Sequence, residues 1–190
     1  LTAEDVAEKG FARYRDIDGD GIGYRTLPGT DHPQAAFFTR GTGHNDRAVY
    51  SEKPDDWVEN MDRILRKFET ARSLVPGPII EDVEDAEVGI LVYGTTEYAV
   101  QEARDRLAKS GLSTSLLRLR ALPINDEVAS FVNRYDRVYV VELNRDGQMH
   151  SILITEMPEL ATKLKSVAYL DGMPLTARRV VDAILAEEQK

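Results

Sequence analysis

From Val88 onward, apolar positions fall into two alternating periods. "VGILVYG" is an unbroken apolar run of strand length that stops at Gly94, and "TTEYAVQEARDRLAKSG" then repeats its apolar residues at helical spacing from a threonine to Gly111. The pattern repeats as "STSLLRLRAL" (strand), "NDEVASFVNRY" (helix, with Asn125 as its cap), "DRVYVVEL" (strand) and "GQMHSILITEM" (helix). "PELATKL" reads as a further turn or two interrupted at Pro158, "SVAYLDG" as a fourth strand, and Thr176 as the cap of a last helix whose apolar face is Val180, Val181, Ile184 and Leu185. Buried strands alternating with amphipathic helices are the pattern of an α/β layer fold.

The first half has a different texture. After a short helix over Thr2 to Lys9, Gly, Pro, Asp and Thr break every hydrophobic period up to residue 53. Pro54, Asp55 and Asp56 suit the first turn of a helix. Trp57, Met61, Ile64, Leu65, Phe68 and Leu74 continue it at helical spacing to about residue 75, where Val75, Pro76, Gly77 and Pro78 stop it. An acidic linker, Glu81 to Glu87, follows. Residues 1–80 therefore read as an irregular arm with one long helix, and 81–190 as the α/β domain.

Composition narrows the partners. Thirty-three acidic against 24 basic residues give a net charge of −9, which disfavours a nucleic-acid surface. Cysteine is absent, so the chain supplies no thiolate for zinc or for an iron–sulfur cluster. No apolar run reaches the roughly 20 residues of a membrane span, and no signal peptide is visible. A cytoplasmic setting is expected. The first residue is Leu1, which reads as a fragment or processed chain.

Three stretches carry candidate chemistry. Asp16, Asp18 and Asp20 with Gly21 match the start of a calcium-binding loop, but the eighth position is Gly23 and the twelfth, which needs a bidentate glutamate, is Leu27. An Asp-Gly turn is the competing and favoured reading. "FTRGTGHND" combines glycines that let backbone approach a ligand with cationic or hydrogen-bonding side chains, which selects Arg40, Gly41, Gly43, His44 and Asn45; a glycine turn with a solvated histidine is the plain alternative. "VVELNRDGQM" puts Glu142, Asn144 and Gln148 at a strand end, where ligand contact and helix capping are both open. "VYGTTEYA" sits where open α/β sheets often bind ligands, but it has one glycine of the three in a dinucleotide fingerprint. No nucleophile–base set, HExxH pair or phosphate loop is present, so no residue is assigned a catalytic or metal-binding role.

Together, "DGDGIGYRTLPGTDHP", "RGTGHNDRAVYSEKPDDWVENMDRILRKFETA", "ELNRDGQMHSIL" and "YLDGMPLTARRVVDAI" resemble the C-terminal part of the alpha subunit of 2-oxoacid:ferredoxin oxidoreductases, the 2-oxoglutarate type most closely. The resemblance implies a three-layer α/β/α sandwich like the transketolase C-terminal domain, with about five strands, one an antiparallel edge. It implies an enzyme that decarboxylates a 2-oxoacid on thiamine diphosphate, passes electrons through an iron–sulfur cluster to ferredoxin and delivers the acyl group to coenzyme A. Thiamine diphosphate, Mg2+ and the cluster would be held mainly by the beta subunit and none by this chain. On its own the chain would be an inert structural and interface segment, partnered by the rest of the alpha subunit and by the beta subunit. Arg40, Gly41, Gly43, His44, Asn45, Glu142, Asn144 and Gln148 are its candidate contacts to substrate or coenzyme A. A calcium-binding module and a free-standing flavodoxin-like regulatory domain are the alternatives.

Overall fold

The computed structural model describes residues 1–38 and 41–189. Contacts divide the chain into two units, Leu1–Leu74 and a second from Val75 onward.

In the second unit, the apolar runs become strands β2 (Val88–Tyr93), β3 (Thr114–Leu119), β4 (Arg137–Glu142) and β5 (Leu164–Ala168), all parallel. With β1 (Ile79–Glu81), antiparallel to β3, they form one sheet in the order β1-β3-β2-β4-β5. With α1 (Ala3–Lys9) and α2 (Pro54–Leu74) in the first unit, the helices between the parallel strands are α3 (Thr96–Lys109), α4 (Asp126–Arg134) and α5 (Gln148–Glu156), and α6 (Ala177–Glu188) follows β5. A 3₁₀ helix, Pro158–Lys163, leads into β5.

Both faces of the sheet are covered, which is why its strands are apolar without alternation. On one face, Val88, Ile90 and Val92 of β2 join Val100, Ala103 and Leu107 of α3 and Val180 and Ile184 of α6. On the other, Leu91 and Val140 join Val128, Phe131 and Val132 of α4 and Leu153 of α5. The helices change face because β2→β3 and β3→β4 run in opposite directions across the sheet, and right-handed crossovers then place α3 and α4 on opposite sides. The result is the expected three-layer α/β/α sandwich with one antiparallel edge.

Several local features depart from the sequence reading. The antiparallel edge that the resemblance implies is β1, which the hydrophobic pattern did not place because three residues are too few to show a period, and Glu81 is part of it instead of a linker. Its carboxylate pairs with Arg104 at 2.5 Å, and that bond, with one from Gln101, holds its pKa below the usual range. β5 begins at Leu164, earlier than "SVAYLDG" suggests. Asn125 stands at the start of α4 without making a side-chain cap and donates instead to Glu127 at 3.2 Å. Thr176 does cap α6, accepting from the amide of Arg179.

In the first unit, α1 (Ala3–Lys9) buries Val6, and α2 spans Pro54–Leu74. Between them, the described residues hold one isolated bridge, His44 to Tyr50, and no further helix or strand. The segment around Gly21 lies directly on α2. A Cβ at Gly21 would stand 2.3 Å from the Lys67 amide nitrogen and 2.6 Å from the Arg63 carbonyl. Thr70 donates to the Asp20 carbonyl, Arg63 to the Gly21 carbonyl and Arg66 to Asp16. This contact uses the polar side of α2. Trp57, Met61, Leu65 and Phe68, the face singled out by hydrophobic spacing, are exposed. No helix among the described residues is long and apolar enough to cross a membrane.

Gly89 shows how tightly the second unit is packed: a Cβ there would stand 2.9 Å from Phe131 and 3.0 Å from both Tyr135 and Val138. Gly89→Ala should lower stability by about 1–3 kcal/mol through overpacking. The check is urea denaturation followed by circular dichroism, in which an unchanged midpoint contradicts the packing.

Candidate functional site

The strand order reverses between β2 and β4, so their carboxyl ends border a crevice with no crossover above it, the usual ligand position of an open α/β sheet. Tyr93, the last residue of β2, and Glu142, the last of β4, meet there. Glu142 is fully buried. One carboxylate oxygen accepts from the Met149 amide at 2.8 Å, from Asn144 Nδ2 at 2.6 Å and, at a long 3.4 Å, from the Tyr93 hydroxyl; the other accepts from the His150 amide at 3.1 Å. Asn144 Oδ1 in turn accepts from the amides of Asp146 and Gln148.

The geometry explains why α5 has no conventional cap. Its N-cap is Gly147, in the left-handed conformation and without a side chain, so the first amides of the helix are satisfied by a carboxylate reaching over from the strand end. Burial first, then the neighbouring Glu142 charge, raises the Tyr93 phenol above its ordinary pKa and keeps it a donor. Glu142 and Asn144 are thus brought together and committed to holding the 143–148 turn, while the Gln148 side chain is exposed.

Beside this turn lies a cleft of about 620 Å³, floored by Thr95 and Thr96 at the start of α3 and walled by Leu143, Leu170 and Met173. Tyr98, 77% exposed, stands at its edge. Thr95 makes no side-chain cap to α3. The walls of the cleft are mainly apolar, and its lining contains no nucleophile–base pair. Sequence reading missed the Leu170–Leu175 wall; its one legible signal was "DGMPL", a turn following a strand.

The first unit holds the other candidate group. Asn45 Oδ1 accepts from the amides of Arg47 and Val49, and Gly43 lies so close to Ser51 that a Cβ would stand 2.6 Å from its carbonyl oxygen. Both residues shape a tight loop. The His44 ring packs on Tyr14 with centroids 4.3 Å apart, its Nδ1 lies 3.0 Å from the Thr42 carbonyl, and its Nε2 is buried without a hydrogen-bond partner. Gly41 is exposed, and Arg40 lies outside the described residues.

Asp16, Asp18 and Asp20 do bring carboxylate oxygens within 4.8 Å of one another. Each of them also accepts hydrogen bonds within the turn or from α2. Asp16 accepts from the amides of Gly19 and Gly21 and from Arg66, Asp18 from the Tyr24 hydroxyl, and Asp20 from the amide of Ile22. The stretch is an Asx-turn docked on a helix, not a helix–loop–helix.

No protein-family model matches the chain. It is 27% identical over 176 residues to 2-oxoacid:ferredoxin oxidoreductase 1, subunit alpha, of Aeropyrum pernix, an alignment covering 85% of this chain and 27% of that protein. Its fold is that of part of a 2-oxoglutarate:ferredoxin oxidoreductase from Magnetococcus marinus, solved with 2-oxoglutarate, coenzyme A and succinyl-CoA bound. There the TM-score is 0.71 and the identity 24%, over 93% of this chain and 30% of that one. A split-gene transketolase overlaps 54% of the chain and 38% of its own at a TM-score of 0.47 and 23% identity. The chain therefore resembles 2-oxoacid:ferredoxin oxidoreductase alpha subunits and spans less than a third of the length of the Aeropyrum pernix and Magnetococcus marinus proteins.

Two predictions follow from the site. Glu142→Gln places an NH2 group among amide donors and should cost about 1–3 kcal/mol, whereas Tyr93→Phe, which removes two long bonds, one to Glu142 at 3.4 Å and one from Asn144 at 3.3 Å, should cost about 1 kcal/mol or less; equal losses in thermal melts would contradict this hierarchy. For Asp16, burial alone would raise the pKa, but Arg66 and the Gly21 and Gly19 amides outweigh it and hold the carboxyl below its ordinary value. That stabilisation is present above the unfolded pKa and is lost as pH falls through the lower folded one. An acid titration followed by the fluorescence of Trp57, the single tryptophan, should show a step that Asp16→Asn removes.

Proposed function

We propose that this chain is the C-terminal part of the alpha subunit of a thiamine diphosphate-dependent 2-oxoacid:ferredoxin oxidoreductase, with 2-oxoglutarate as the substrate, acting in the cytoplasm. Residues 1–80 form the arm that joins it to the preceding domain, and 81–190 the transketolase C-terminal-like domain. The observation that carries the reading is the similarity to the Aeropyrum pernix alpha subunit over 85% of the chain. Its reaction is oxidative decarboxylation to an acyl-CoA with ferredoxin as electron acceptor.

The donor sets of this chain do not fit the cofactors. Without cysteine it offers an iron–sulfur cluster no thiolate. Among the described residues, the close carboxylate trio Asp16, Asp18 and Asp20 accepts from backbone amides, Tyr24 and Arg66, which supports a structural role for it in place of magnesium binding. Thiamine diphosphate, Mg2+ and the cluster belong to the beta subunit and the rest of the alpha subunit, and the fragment alone is inert. Its own contribution is structural: a rigid sheet edge and a loop placed against substrate and coenzyme A. The loop residues Arg40, Gly41, Gly43, His44 and Asn45 are the contacts we assign, with His44, whose Nε2 lacks a partner, foremost; at the second place Gln148 is the contact, on a turn that Glu142 and Asn144 hold in shape.

The test is reconstitution. The 190-residue chain is mixed with the remaining alpha-subunit segment and the beta subunit, and sedimentation and viologen reduction are measured with 2-oxoglutarate and coenzyme A. Co-sedimentation with activity confined to the mixture is expected, as is a fall of about tenfold or more in coenzyme A affinity for His44→Ala. A chain that stays apart from both partners, or that turns over alone, overturns the assignment.

A further inference from the structure

We propose that α2 is one half of a heterotypic coiled coil: it docks a separate amphipathic helix whose apolar seam is bordered by lysine or arginine. The inference stands on α2 itself and does not rest on the enzyme assignment.

Val58, Met61, Leu65 and Phe68 recur at intervals of three, four and three residues, the a and d spacing of a coiled-coil seam. All four are between 43% and 64% exposed, although Phe68 also borders the hollow beneath the arm. The seam runs about 15 Å along the helix. It ends where Arg72 takes the next a position and pairs with Glu69. Asp56, Arg63 and Thr70 hold the f position, on the opposite side, and all three bond to the segment before the helix: Asp56 accepts from the Ser51 hydroxyl, Arg63 donates to the Gly21 carbonyl and Thr70 to the Asp20 carbonyl. The arm grips the back of α2 and leaves the seam open. Among the described residues of this unit the buried apolar side chains are Val6, Ala12 and Ala48, so its larger apolar groups lie on the outside, the mark of an interaction surface.

The borders of the seam decide the occupant. Asp55, Asp62 and Glu69 recur every seven residues along one border, position e, while the other border, position g, is Trp57, Ile64 and Ala71. Among the described residues, neither Asp55 nor Asp62 forms an ion pair. A second copy of this chain is therefore a poor occupant. Antiparallel pairing sets e against e and brings Asp62 to Asp62 and Asp55 to Glu69, like charge on like. Parallel pairing sets e against g and presses the carboxylates onto Trp57, Ile64 and Ala71, which strips their hydration with no partner in return. An anionic membrane is disfavoured as well, because it attracts rows of lysine and arginine, not of carboxylates. A helix with cations facing the e border covers the seam and pairs the acidic row at once.

The test uses two synthetic helical peptides matched to α2 in length. Both carry leucine at a and d, and they differ only in having lysine or glutamate at e and g. Binding to the 190-residue chain is followed by calorimetry and by the fluorescence of Trp57, which stands beside the seam. The lysine-bordered peptide should bind at least about tenfold more tightly than the glutamate-bordered one, and more weakly as salt rises. Met61→Ser and Leu65→Ser, at exposed positions, should each weaken it about tenfold with the melting temperature unchanged. Asp62→Lys combined with Glu69→Lys should reverse the order of the two peptides. Equal affinity for both peptides, an unchanged preference in the charge-reversed variant, or wild-type affinity in Leu65→Ser would each overturn the proposal. So would a dimer in sedimentation that Leu65→Ser dissociates, or Leu65-dependent binding to phosphatidylcholine–phosphatidylserine vesicles.

Discussion

The second unit depends on a reversal. Its chain lays down β2 and β3 in one direction across the sheet and then jumps back past β2 to lay down β4. Because every crossover keeps the same hand, the helices are divided between two faces and both faces are sealed. The carboxyl edge between β2 and β4 is then left as open ground. Tyr93, Thr95, Thr96, Glu142 and Leu143 all gather there because of strand order, before any question of chemistry arises. Glu142 shows what the location demands. A strand that must turn at once into a helix through a left-handed glycine has no side chain with which to cap that helix, and a buried carboxylate takes the task.

The first unit is held together on other terms. Among its described residues, the buried apolar side chains are Val6, Ala12 and Ala48, too few for a conventional core. Its arm is instead tied to α2 by hydrogen bonds and charge: Thr70 to the Asp20 carbonyl, Arg66 to Asp16, Arg63 to the Gly21 carbonyl, and Asn60 to the His44 carbonyl. Helix α2 thus holds the arm through Asn60, Arg63, Arg66 and Thr70, while Met61 and Leu65 are left exposed.

Legibility in the sequence followed the same division. Long apolar runs and amphipathic helices announced the parallel strands and their order of appearance, because burial on both faces leaves a continuous hydrophobic trace. β1 left no trace, since an edge of three residues has no room for one. For α2 the spacing correctly marked an apolar face, but nothing in it could say that the arm would choose the opposite side. The carboxylates at 16, 18 and 20 imitated a metal loop because an Asx-turn uses the same residues at the same spacing. At the strand end, Glu142 and Asn144 stood out as polar residues in an apolar neighbourhood, yet their partners are amides, which have no letter of their own.

That path is fixed at one point by backbone lying on backbone, where Gly21 meets the helix at Arg63 and Lys67 with no space for even a methyl group. Such a contact works like a tooth in a notch. The arm cannot slide along the helix by a residue without driving a side chain into it, so extra length acquired on either side would have to loop outward into solvent, leaving the arm's bonds to Arg63, Arg66 and Thr70 undisturbed.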